Sequence, residues 1–161
     1  AFGPASVTDA QNWSGIGGLR PTFEALRGEL ATFRDERGRE LFDLPEAPRP
    51  DEETPGPVRF LPEYDNLVLG HDDRSRIVAD EHRPRLVTKN LQIPATFLVD
   101  GFVAGTFRVE RRKKTATMTL APFGKLLKRD LRALETEGDL LLQFAEADAT
   151  IREVVVASTA S

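Results

Sequence analysis

Five cations fall within seven positions at Arg108, Arg111, Arg112, Lys113 and Lys114. Alternating residues on either side make this the turn of a β-hairpin. Clustered Lys and Arg on a protruding turn can neutralise phosphates or enter a nucleic-acid groove. The competing reading is a turn that is charged only because it is exposed. A second set of cations lies earlier, with Arg20 and Arg27 on one flank of a helix and Arg34, Arg37 and Arg39 around a polar, Gly-containing turn. Helix, short turn, helix and hairpin is the order of a winged helix, in which the second helix enters a groove and the wing touches the backbone. Glu24, Glu29, Asp35, Glu36 and Glu40 are interleaved with these arginines. The alternative is therefore a solvated face of ion pairs, which contribute little energy.

One further constellation has the residue types for acid–base or metal chemistry: His71-Asp72-Asp73-Arg74, with Glu63, Asp65, Asp80, Glu81 and His82 nearby. Paired carboxylates can exchange protons, and His with carboxylate can hold a divalent cation. The two histidines are eleven positions apart, however, with no helical register joining them and no His-Glu-x-x-His pattern. A loop in which Asp and His cap turns and pair with Arg74 or Arg76 accounts for the same residues. No catalytic residue, metal ligand or cofactor site is expected. The dinucleotide, P-loop and nucleophile-elbow patterns are absent, and Gly15, Gly17 and Gly18 follow a helix, not a strand.

These residues need elements to carry them. Ser6 and Asp9 have the spacing of a capping box, which starts a short helix reaching Trp13 and ending at Gly15. Leu19, Phe23, Leu26 and Leu30 predict one amphipathic helix, with Pro21 tolerated in its first turn. Thr32 to Arg34 and Leu41 to Leu44 flank the polar turn as a hairpin. Pro45, Pro48, Pro50, Pro55 and Pro57 predict a linker over 45–57. Beyond it the pattern turns mostly to strands: Arg59 to Leu61, Leu67 to Leu69, Ala95 to Leu98, Phe102 to Glu110 and Thr115 to Ala121. Asp100-Gly101 is a hairpin turn. A helix is expected from Phe123 to Ala145, with Gly138 its weak point, then a strand from Ile151 to Val156.

Composition sets the frame. The chain has 161 residues, no cysteine and a formal net charge of −4. It has no disulfide framework and no thiolate site, and no apolar run of spanning length. Its N-terminus does not read as a signal peptide. A cytoplasmic location is expected. The acidic balance confines any nucleic-acid binding to local basic patches.

Several stretches together are specific to one family. They are Phe2-Gly3-Pro4-Ala5-Ser6-Val7-Thr8-Asp9, Trp13-Ser14-Gly15, and Phe33-Arg34-Asp35 through Leu41-Phe42-Asp43-Leu44-Pro45. To these add Arg59-Phe60-Leu61-Pro62-Glu63-Tyr64-Asp65-Asn66 with His71-x-Asp73-Arg74, and Leu98-Val99-Asp100-Gly101-x-Val103-Ala104-Gly105-Thr106-Phe107. From about Gly3 to Val156 the chain resembles the C-terminal part of a bacterial winged-helix DNA-binding family that includes crosslink-unhooking alkylpurine DNA glycosylases. The resemblance implies tandem winged helices followed by a β-barrel-like domain. It also implies a catalytic Gln-x-Gln pair in the N-terminal region. The only glutamines here are Gln11, Gln92 and Gln143, none paired, so no catalytic residue carries over.

The expectation is thus an α+β chain: residues 1–44 as the end of a winged helix whose first helix is missing, 45–57 as linker, and 58–161 as a small β-barrel-like domain with a long C-terminal helix. It would contact duplex DNA alongside the N-terminal winged helices of a longer parent. The other reading is a structural or protein-interaction module with no DNA binding of its own.

Overall fold

A computed structural model describes residues 3–51, 53–86 and 92–157. The fold is mixed α+β and divides into two compact units, one of Ala1–Thr54 with Asn66–Ser75 and one of Pro55–Asp65 with Arg76–Ser161.

In the first unit, α1 (Val7–Ser14) is started by the expected capping box. Ser6 Oγ accepts from the Asp9 N–H at 3.1 Å, and Asp9 Oδ2 accepts from the Ser6 N–H at 2.7 Å. Gly15, at φ 70°, ends it in the left-handed region that glycine enters without a Cβ clash. Next, α2 is shorter than the apolar spacing predicted. It covers Arg20–Ala25 and gives way to a 3-10 turn at Arg27–Glu29. None of its residues is fully buried and Leu26, at its end, is exposed, so packing there does not offset the poor helix propensity of Gly28. Strands β1 (Ala31–Arg34) and β2 (Glu40–Asp43) pair antiparallel, as expected. Their turn places Gly38 at φ 75°, and the Asp35 carboxylate accepts from the Arg37 and Arg39 N–H groups.

The small core contains Val7, Leu41, Phe42 and Val68. A backbone bridge joins Ala5 to Phe42, and the Phe23 ring meets Phe42 edge-on at 5.0 Å. Residues Asn66–Leu69 form α3, one helical turn instead of the expected strand. Apolar runs this short carry no period that separates the two. The proline stretch is tied back at its start, where Arg49 donates to the Leu44 and Pro45 carbonyls.

The second unit is an open five-stranded sheet in the order β3 (Arg59–Leu61), β4 (Thr96–Val99), β5 (Phe102–Arg112), β6 (Thr115–Pro122) and β7 (Ile151–Val156). One-turn helix α4 (Arg83–Leu86) precedes β4. The first three pairings are antiparallel and β6–β7 is parallel, joined through α5 (Lys128–Ala145). This corrects the barrel expectation. Among the described residues β3 and β7 are opposite edges and do not pair. The crossover helix instead covers one sheet face, so the core is helix on sheet.

Phe97, Ala116, Met118, Leu120, Leu134 and Leu142 form that core. Gly138 is a close-approach position in it: a Cβ there would lie 3.1 Å from Met118 Sδ and from Val154 Cγ2. Asp100 and Gly101, at φ 50° and 80°, make the two-residue β4–β5 turn that their types predicted. Helix α5 begins five residues later than the period suggested, because the Phe123 N–H is held by the Ala104 carbonyl at the sheet.

Candidate nucleic-acid interface

The β5–β6 hairpin is the longer of the two basic hairpins, with eight paired positions from Gly105↔Pro122 to Arg112↔Thr115. Its two-residue turn is Lys113-Lys114, and Lys113 sits at φ 52°. Left-handed backbone costs a residue with a Cβ about 1 kcal/mol, which is why Gly and Asn dominate such turns. Neither lysine side chain has a hydrogen-bond or ion-pair partner among the described residues.

Alternation divides the arginines between two faces. Arg108 and Arg112 lie on the face away from α5, with side chains 69% and 87% exposed. Glu110 lies between them, at 3.7 Å from Arg108 Nε and 4.0 Å from Arg112 Nη2. Arg108 also borders a groove of about 370 Å³ with Thr106 and Thr119. Arg111 faces the other way. It donates from Nε to the Lys113 carbonyl, from Nη1 to Glu146 Oε2 and from Nη2 to the Asp148 carbonyl.

The first unit treats its cations differently. Arg27 is closely engaged: Nε and Nη2 donate to Glu24, Nη1 and Nη2 donate to Glu40, and the guanidinium lies over the Phe42 ring at 5.3 Å. The bonds to Glu40 and Glu24 raise its pKa further, and Arg27 in turn lowers both carboxyls. Arg37 and Arg39 converge on Asp73 Oδ2 at 2.9 and 2.7 Å, and Arg39 also donates to Asp35 at 2.6 Å.

Hydrogen bonds from the Ser75 hydroxyl and N–H, then the two guanidiniums, hold the Asp73 carboxyl down at about 2. Arg34 donates to the Gly38 carbonyl. Arg20 is exposed and makes no hydrogen bond among the described residues, only longer-range attraction to Glu24 and Glu40. It borders a cavity of about 240 Å³ with Arg39, but Glu40 and Asp72 line the same space.

The acid–histidine constellation does not assemble into a metal site. Among the described residues no three His, Asp or Glu side chains are placed to hold a cation. Asp73 caps its turn as expected, accepting from the Ser75 N–H, and its other oxygen is taken by Arg37 and Arg39, which lie 36 and 34 positions away. Asp9 is buried, and burial pushes its carboxyl up. Bonds from the Ser6 N–H and hydroxyl and the Asp72 N–H, with attraction to His71, outweigh that and leave it lowered. Gln11 accepts from the Leu19 N–H, and Gln143 donates to Asp139. Sequence reasoning missed the roles of Asp73 and Glu146, since neither carboxylate is near its arginines in the chain.

The chain is thus a mixed α+β fold that carries two cation-bearing hairpins. The family described as DNA glycosylase AlkZ-like matches residues 1–144, and the chain belongs to that family. Among solved structures, the DNA glycosylase AlkZ of Streptomyces sahachiroi is similar, with a TM-score of 0.73 and 25% identity. That match covers 98% of this chain and 43% of the AlkZ chain, so the chain spans under half the length of that relative. No curated protein matches. Among the described residues no helix is long and apolar enough to cross a membrane.

Proposed function

We propose that this chain is the DNA-contacting C-terminal portion of a cytoplasmic DNA-repair protein of the glycosylase type. In this reading it grips duplex phosphates and leaves base excision to N-terminal winged-helix domains of the same parent. Residues 1–44 end a winged helix, 45–57 link, and 58–161 carry the basic hairpin. Membership of the AlkZ-like family supports a repair role. The observation that carries the contact is the β5–β6 turn, whose two lysines have no partner among the described residues and are flanked by exposed Arg108 and Arg112. Of the ten cations assigned to DNA, Arg20, Arg108, Arg112, Lys113 and Lys114 are the presented ones. Arg27, Arg34, Arg37, Arg39 and Arg111 are engaged within the protein.

Fluorescence anisotropy with a labelled duplex, titrated at several salt concentrations, tests this. Each phosphate contact contributes about 0.9 to the slope of log affinity against log salt. Lys113→Ala with Lys114→Ala should flatten that slope by about 1.8; an unchanged slope and affinity would sink the hairpin reading. A second reading, a structural or protein-interaction module with no DNA binding of its own, draws on the ionic closure of Arg27, Arg37 and Arg39. It predicts no salt-sensitive duplex binding by this chain.

A further inference from the structure

We infer that Arg111 is a positioning residue, which braces the β5–β6 turn so that Lys113 and Lys114 are presented in one fixed arrangement to phosphates. The inference rests on the duplex-contact reading and assigns a separate task to a residue within the same basic run.

Its geometry is that of a bracket. Arg111 lies on the face of β5 that α5 covers, opposite the fully buried Ala116. Its three donating nitrogens reach three acceptors on two segments: the Lys113 carbonyl at 2.6 Å, Glu146 at 3.2 Å and the Asp148 carbonyl at 3.0 Å. The loop between α5 and β7 returns the hold, because the Thr150 and Ile151 N–H groups donate to the Lys114 carbonyl at 2.8 and 3.1 Å. Arg152 fixes that loop in turn, donating to the Glu146 and Ala147 carbonyls. Both residues of the turn are therefore tied by their carbonyls to the loop or to the arginine that reaches it.

A planar guanidinium can serve three acceptors in fixed directions, whereas an ammonium is a compact point charge on a flexible stem. With its side chain 29% exposed, against 87% for Arg112, Arg111 has its nitrogens committed inward. Bracing removes from binding the cost of ordering the backbone of a strained turn.

The test is duplex binding by this chain across a salt series, for wild type, Arg111→Lys, Arg111→Gln and Glu146→Gln. Positioning predicts that Arg111→Lys, at unchanged charge, weakens binding by roughly three- to tenfold, the scale of leaving about one residue's backbone to be ordered on binding. The salt slope of Arg111→Gln should stay near wild type. Loss of about 0.9 from it would instead make Arg111 a phosphate contact and overturn the inference.

Glu146→Gln gives a test of sign. Removing a carboxylate beside a basic turn strengthens binding if only charge matters, and weakens it if the bracket matters. Should Arg111→Gln fail to fold, that sign decides alone, with circular dichroism confirming the fold of the Glu146→Gln variant. If the double lysine variant binds as wild type does, or wild type does not bind, the duplex reading fails and the inference falls with it. If the lysines matter and the bracket variants do not, the inference alone is overturned.

Discussion

The two hairpins are built from the same residue types and put them to opposite uses. The β1–β2 hairpin has four paired positions and closes its arginines on carboxylates, Arg37 and Arg39 on Asp73, with Arg27 beside it on Glu24 and Glu40. The β5–β6 hairpin has eight paired positions, uses Arg111 for bracing, gives exposed Arg108 and Arg112 only long contacts to a shared Glu110, and leaves Lys113 and Lys114 without a partner among the described residues. A short ladder over a small core draws its hold from ion pairs. A long ladder over a helix-covered sheet is already fixed and can leave charge unpaired. Counting cations along the chain would rank the two alike. Counting their partners separates them.

The largest effect should come from the root of the longer hairpin. At Gly105 an added Cβ would fall 2.6 Å from the Ala121 carbonyl oxygen and against the Phe97 ring. Both neighbours are part of the sheet and its core, so Gly105→Ala should cost about 3 kcal/mol as overpacking. The corresponding change in the shorter hairpin, Gly38→Ala, meets nothing within 4 Å and forces only a left-handed alanine. It should cost about 1 kcal/mol. Chemical denaturation of the two variants measures the gap, and equal losses would refute the contrast.

Next comes the ion-pair cluster. Asp73→Asn keeps an oxygen for the Ser75 N–H but removes the charge on which Arg37 and Arg39 converge. With Arg37 63% exposed, solvent screening limits the loss to between about 1 and 2 kcal/mol. The same variant should raise duplex affinity if freed arginines reach phosphate, and leave it unchanged if the first unit only packs against protein.

Acid should act in the same direction. The Asp73 carboxyl is depressed from 3.8 to about 2, so its contribution is full above about pH 4 and is lost as pH falls through about 2. Asp9 and Asp35 are lowered too. Thermal melts between pH 5 and pH 2 should lose stability less steeply in Asp73→Asn than in wild type; parallel curves would remove Asp73 from the acid response.

The sequence showed the ladders and hid the partners, for a physical reason. Ser6 and Asp9, Asp100 and Gly101, and the alternation from Val103 to Val109 are local signals whose meaning is set within a few residues, and each marked its element. The arginine–carboxylate pairs are not local. Asp73 lies 36 positions from Arg37, and Glu146 lies 35 from Arg111, so only the fold decides that they meet. Closure of the sheet is likewise global: strand patterns over β3 to β7 read the same whether the edges join into a barrel or, as found, a crossover helix covers one face. The end of α2 at Ala25 departs from its apolar period for a third reason. Leu19, Phe23, Leu26 and Leu30 keep the helical period, but burial, which would hold a helix through Gly28, is missing.

The smallest predicted change is also the one that separates binding from folding. Lys113 occupies a left-handed position that costs a Cβ-bearing residue about 1 kcal/mol. Lys113→Gly relieves that strain and adds unfolded-state freedom worth about 0.5 kcal/mol, for a net gain of ~0.5 kcal/mol. Such a gain should raise the melting temperature by a few degrees at most. Duplex affinity should fall at the same time, with the salt slope lower by about 0.9. The two signs oppose because the lysine's backbone conformation is costly while its ammonium is available to a phosphate. A variant that is more stable and binds equally well would show a left-handed lysine with no use on DNA, and would return the β5–β6 turn to the same standing as the closed arginines of the first hairpin.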